Sequence, residues 1–179
     1  MTTYVGQASC DEYGNIMGGA AGNQSGAELN ICEAYLNNWR ALIRFVNPER
    51  ARACGEAMRA AVENMNIGYD QSERNSILPQ ARACGWDLGA ITQACECDCS
   101  SLAGVCGIAA GVPEEALFVD GNLCYTGNIV QRFEGMGMVS VYSTSDYVAS
   151  TERWCVGDIL VSETHAVVVV LGNEPGGFR

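Results

Sequence analysis

The stretch Ala94-Cys95-Glu96-Cys97-Asp98-Cys99-Ser100-Ser101-Leu102-Ala103-Gly104-Val105-Cys106-Gly107-Ile108-Ala109-Ala110 changes its period at Asp98. Before that residue cysteines alternate with acids; after it Leu102, Val105, Cys106 and Ala109 fall three or four apart, the spacing of one helix face. Asp98 is a good N-cap, so Cys99 belongs in the first turn of a buried helix over about 98–110. Free backbone N–H groups and the positive helix end favour a thiolate there, while the charge of Asp98 opposes it. The only histidine, His165, stands far downstream at the head of an apolar strand. These residues suit a nucleophilic thiol with its general base, and the rest of the chain has to bring them together.

Working outward, Asn47-Pro48-Glu49 is a helix start with cap, first-turn proline and acid, and Ala51, Cys54, Met58, Ala61, Val62 and Met65 make one apolar stripe. The spacing predicts a helix over about 48–65 whose stripe is core. Asn66 to Asp70 reads as a turn, 72–84 as a helix that Pro79 shortens or kinks, and 127–134 as a short helix capped by Thr126. Glu28 to Tyr35 and Arg40 to Val46 read as extended. After Gly135 the pattern becomes strand-like: Met138 to Tyr142, Gly157 to Ser162, and Thr164 to Leu171, whose run Val167 to Leu171 is apolar on both faces and therefore central. The expected fold is α+β, one domain over 1–179: a Gly-rich segment with short strands over 1–46, a mainly helical part over 47–134, and an antiparallel sheet over 135–179.

Composition excludes several functions. The net charge is −11 and all ten basic residues are arginine, so no basic stripe exists to neutralise nucleic-acid phosphates and no lysine chemistry is available. No apolar run approaches the ~20 residues that span a bilayer, so membrane insertion is not expected. The start carries no signal-peptide pattern. Ten cysteines are many for 179 residues, yet Cys54, Cys84 and Cys106 fall at core spacing, and most are expected as free thiols with one or two bridges open.

Asp98-Cys99-Ser100-Ser101-Leu102, then Gly157-Asp158-Ile159-Leu160, then His165-Ala166-Val167-Val168-Val169 resembles the NlpC-like and CHAP-like cell-wall hydrolases over residues 98–172. Ala8-Ser9-Cys10-Asp11-Glu12-Tyr13-Gly14, Gly18 to Gly26 and Ile67-Gly68-Tyr69-Asp70-Gln71 are similar to catalytic domains of phage and gut-bacterial lysins. The resemblance implies a papain-like fold, with the nucleophile helix packed on a small antiparallel sheet. It implies cleavage of a peptidoglycan amide, in the stem peptide or between N-acetylmuramic acid and L-alanine. Cys99 would be nucleophile and His165 base, with no metal and no cofactor, on a monomer that meets the stem peptide. Without a leader, a phage-encoded lysin released through a holin pore fits.

The residue that orients the histidine departs from the family pattern, which places it on a strand after the histidine strand. Asn173 shares the parity of His165 but lies eight residues on, about 26 Å along a strand. Glu163 shares it too but falls in a turn. The N-terminal segment, packed beside the last strand, is expected to supply the partner, with Asp11 the choice and Glu12 behind it; a dyad without a third member stays open. Gln24, Tyr69 and Ser100 are candidates for substrate or oxyanion contacts, against a loop-closing role for Gln24 and core packing for Tyr69. The rivals are a cysteine amidase or acyltransferase on a non-wall substrate, and a metal or redox module built on Cys95, Cys97 and Cys99. The spacing of those cysteines is wrong for a Cys-x-x-Cys knuckle.

Overall fold

The computed structural model describes residues 2–176. The chain begins with strands β1 (Tyr4–Ala8), β2 (Leu29–Glu33) and β3 (Ala41–Phe45), then helix α1 (Pro48–Glu63). A central part follows with β4 (Ile67–Tyr69), α2 (Ile77–Ala83), β5 (Cys95–Cys97), α3 (Cys99–Ala109) and α4 (Glu114–Leu117). Next come the hairpin β6 (Phe118–Val119) and β7 (Asn122–Leu123), then α5 (Ile129–Glu134). The last elements are β8 (Val139–Tyr142), α6 (Ser145–Val148), β9 (Ile159–Val161) and β10 (Ala166–Leu171). Six strands form one antiparallel sheet in the order β2-β1-β10-β9-β3-β8, which makes the fold α+β and puts β10 in its interior, as its two-faced apolar run requires. None of the described helices is long and apolar enough to cross a membrane.

The two faces of the sheet bury different cores. Ile43, Phe45, Ile159, Val161, Ala166, Val168 and Val170 share the large core with α1 and α3. Val5, Trp39, Leu42, Trp154, Leu160, Val167 and Val169 make a second, smaller core on the opposite face. Helix α1 starts as its residues dictate: Pro48 occupies the first turn and Asn47 Oδ1 accepts the N–H groups of Glu49 and Arg50. It ends at Glu63, so Met65 falls outside the stripe and is exposed. Helix α3 has no charged residue and is buried on every side but Ala109, the signature of a central helix rather than an amphipathic one.

Several local expectations change. Ile67 to Tyr69 is a strand, β4, lying parallel to β5, because three buried residues pair with Cys95 to Cys97. Helix α2 begins only at Ile77, which puts Pro79 in its first turn, where a missing N–H costs nothing. Thr126 does not cap α5; Asn128 stands at its start, and the Thr126 hydroxyl donates to Glu163 O at 2.9 Å. All ten cysteines are free thiols.

The Gly157-Asp158 pair is architectural. Gly157 has φ +84°, and a Cβ there would lie 1.9 Å from the Ala51 carbonyl oxygen, so only glycine lets this turn press on α1. Asp158, fully buried, takes Arg44 Nε at 2.8 Å and Nη2 at 2.6 Å, and the Cys155 N–H at 2.7 Å. This pair ties β3 to the turn before β9. Burial alone would destabilise the carboxylate; the fork of Arg44 keeps it satisfied.

Candidate active site

Cys99 is the first residue of α3. Asp98 caps the helix: its Oδ1 accepts the Ser101 N–H at 2.7 Å, and Ser101 Oγ accepts the Asp98 N–H at 2.8 Å, a reciprocal capping box. Arg74 braces the cap from the side, with Nε at 2.5 Å and Nη2 at 3.2 Å from the two Asp98 oxygens. Burial would raise the Asp98 pKa, but Arg74 and the cap hydrogen bonds hold it below the ordinary carboxylate value.

Strands β1 and β10 pair through Tyr4↔Leu171, Val5↔Val169 and Gly6↔Val168, and their pairing ends there. The start of α3 packs against β10 and β1 at this end, where the backbone N–H groups of Ala166 and Ser100 favour the Cys99 thiolate. Ala166 is the residue after His165, so the thiol docks at the head of the histidine strand. Gln7, on the β1 side of the same end, reaches across: its Oε1 lies 3.0 Å from His165 Nε2. An amide oxygen only accepts, so Nε2 carries the ring proton and Nδ1 keeps the lone pair. Gln7 Oε1 also accepts the Tyr35 hydroxyl at 2.6 Å, and Gln7 Nε2 donates to Asn30 Oδ1 at 3.1 Å and to Cys32 Sγ at 3.5 Å. Trp39 stacks on the imidazole, rings 6.4 Å apart and 26° from parallel, and its indole N–H is held by Tyr35 O.

The electrostatics follow from burial. The Cys99 thiol is pushed up to about 11 by desolvation first and by Asp98 second, against the Ala166 and Ser100 N–H groups and Arg74. Burial pulls His165 below its ordinary value, with Asp98 opposing. Both shifts favour the neutral forms, the protonated thiol and the unprotonated imidazole.

The other candidates disperse. Asp11 is buried but turns to its own loop, accepting the N–H groups of Tyr13 at 2.9 Å and Asn15 at 2.6 Å; the group on the far imidazole nitrogen is Gln7. Glu12 accepts Ala20 N–H. Asn173 binds the carbonyls of Glu152 and Trp154. Gln24 is exposed and closes its loop on Ala21 O at 2.9 Å. Tyr69 is buried in the large core, yet near enough to Cys99 for the thiol, after burial itself, to help push its phenol up to about 12. The Ser100 hydroxyl donates to Asp98 Oδ1 at 3.0 Å and so belongs to the helix cap. Cys97 points at Gly68 O, and no three His, Cys, Asp or Glu side chains among the described residues converge as a metal site.

Gln7 escaped the sequence reading because its strand opens a segment dominated by glycine and serine. The signal was a five-residue alternation, Tyr4-Val5-Gly6-Gln7-Ala8, too short to separate from the loop that follows.

A buried helix that opens on a cysteine, docked beside a histidine–glutamine pair at the splayed end of two strands, defines the class: an α+β domain built around a thiol and an imidazole. The model of the endolysin-like domain matches residues 5–175, and the chain belongs to that family. No curated protein and no solved structure matches it. Membership in this family points to lytic action on the peptidoglycan of the bacterial cell wall.

Proposed function

We propose that the protein is a cysteine-dependent peptidoglycan hydrolase that cuts an amide, within the stem peptide or between N-acetylmuramic acid and L-alanine. The observation that carries this reading is Cys99 at the start of α3, a helix packed on the strand that follows His165, whose Nε2 lies 3.0 Å from Gln7 Oε1. In the first step His165 Nδ1 takes the thiol proton as Cys99 Sγ bonds to the amide carbonyl carbon. The carbonyl oxygen becomes an oxyanion, and N–H groups of the first turn of α3 stabilise it. Collapse breaks the C–N bond, and the imidazolium gives its proton to the leaving amine. Water then attacks the thioester, passing a proton to His165, and the thiol is restored. Gln7 takes the orienting place for which Asp11 was the sequence candidate.

Cys99→Ala is expected to abolish release of soluble fragments from purified peptidoglycan while circular dichroism stays unchanged. His165→Ala is expected to lower the rate by about 10²–10⁴-fold. Mass spectrometry of the fragments identifies the bond. Normal lysis by folded Cys99→Ala would sink the mechanism.

A further inference from the structure

We propose that Asn30, anchored on the carbonyl of Ala27, sets the tautomer of His165 through Gln7 and is a positioning residue of the site; this rests on the cysteine-hydrolase reading. A side-chain amide fits its density of neighbours in two ways, related by a half-turn that exchanges oxygen and nitrogen. For Gln7 the two are not equivalent. With its oxygen on the imidazole, ring Nε2 holds the proton and Nδ1 is the base. With its nitrogen there, Nε2 has to accept, the ring proton moves to Nδ1, and the thiol proton has nowhere to go.

Tyr35 does not decide between them, because a hydroxyl both donates and accepts. The decision comes from the other end of the amide. The Ala27 carbonyl is a backbone acceptor and has no alternative role. It takes a hydrogen bond from Asn30 Nδ2 at 3.1 Å. That turns Asn30 Oδ1 toward Gln7, where it accepts from Gln7 Nε2 at 3.1 Å. Gln7 Oε1 is thereby turned to His165 Nε2 at 3.0 Å. Three hydrogen bonds pass one direction from a fixed carbonyl to the base. The sheet holds the middle link in place, because Gln7 and Asn30 are direct partners in the β1–β2 register. Tyr35, at 2.6 Å, then adds a second donor to the oxygen so placed. The polarity of the relay is invisible to any argument about burial or charge, since every member is neutral.

The test uses the fact that the chain has one histidine. Protein labelled with ¹⁵N-histidine shows a single imidazole, and its two nitrogen shifts report the tautomer directly. The folded wild type, above the imidazole pKa, is expected in the Nε2–H form. Asn30→Ala is expected to admit the Nδ1–H form and to lower kcat by up to about 10²-fold at unchanged KM, the scale of a misplaced catalytic group. Asn30→Lys, which offers only donors to Gln7, is expected to move the ring further toward Nδ1–H, and it serves where the alanine variant does not fold. Adding Gln7→Glu to Asn30→Ala is expected to restore Nε2–H, because a carboxylate has no nitrogen to present. Wild-type tautomer and kcat in both folded Asn30 variants overturn the relay. The same spectra taken on Cys99→Ala protein separate the two questions: the tautomer shift stands or falls without wall lysis, and lysis without the shift.

Discussion

Cys99 sits at the positive end of a helix, yet its thiol is pushed up to about 11, because burial and the charge of Asp98 outweigh the helix end and the N–H groups of Ala166 and Ser100. In the proposed mechanism a proton is removed from a neutral thiol during attack, and His165 sets the acid limit of activity. The imidazole has to be neutral to accept; activity is present above its pKa and lost as pH falls through it. Burial places that pKa below the ordinary 6.5, so the acid limb lies below that value in the wild type. Gln7→Glu sets a carboxylate against Nε2 and favours the imidazolium, which raises the pKa by about one unit or more. The acid limb of kcat/KM is expected to move to higher pH by that amount, and an unmoved limb would contradict the placement of Gln7. The position of Cys99 at the start of α3 was legible in the sequence because the Asp98 cap marks it, and His165 was singled out as the one histidine. Gln7 was not, since its role exists only once β1 lies beside β10. The sequence pointed to an orienting partner in the N-terminal segment and preferred an acid, Asp11, whose Oδ1 serves the N–H groups of its own turn; the side chain that meets His165 Nε2 is Gln7.

At the scale of elements, helix α3 shows how one residue serves stability against reactivity. Asp98 ends β5's approach, caps α3 and pairs with Arg74, whose guanidinium also takes the carbonyls of Leu123 at 2.9 Å and Cys124 at 2.6 Å. The pair is largely buried, with side chains 15 % and 10 % exposed. Asp98→Asn keeps an oxygen for the Ser101 N–H but leaves Arg74 without its counter-charge. It is expected to cost about 3 kcal/mol in denaturant unfolding, the low end for breaking such a pair. In the same variant the Cys99 thiol loses an anion and gains an uncompensated cation. Its ionisation, followed by thiolate absorbance against pH, is expected well below the wild-type value of about 11. A variant that loses stability without moving the thiol would show that Asp98 is a cap and nothing more to the site. Elements with strong end signals were readable in advance: α1 from Asn47-Pro48, α3 from Asp98, β10 from its apolar run. The parallel pair β4–β5 was not, because three residues in each strand define no period, and α2 was read too long because Pro79 marks a beginning there rather than an interruption.

The whole molecule is held to its N-terminal loop by acids. Glu12, Glu28, Asp70 and Glu96 accept the backbone N–H groups of Ala20, Gln24, Gly18 and Gly22, so the glycine-rich segment is laced to β4 and β5 through carboxylates. Glu28 also takes the Tyr69 N–H at 3.1 Å. None of these acids has an arginine partner within an ion-pair distance among the described residues. Glu96 is the one that gives way. It is 3 % exposed, and its Oε2 has no hydrogen-bond partner. Burial first, and then Glu28, Asp70 and Glu12, push it up to about 8, against the Gly22 N–H. The folded chain therefore keeps a proton on Glu96 that the unfolded chain releases near the ordinary glutamate value, about 4.3. Between those two values the native state binds more protons than the unfolded state, so this group's contribution to stability is complete below about pH 4.3 and is lost as pH rises through 8. Glu96→Gln keeps the acceptor for Gly22 and removes the ionisation. Its melting temperature is expected to match the wild type near pH 4 and to exceed it at pH 9 by about 2–4 °C for each kcal/mol recovered. The difference between the two melting curves reports the Glu96 ionisation together with its coupling to Glu28, Asp70 and Glu12. A gap that is constant with pH, or that closes on the alkaline side, would mean that the carboxylate is already ionised in the folded molecule.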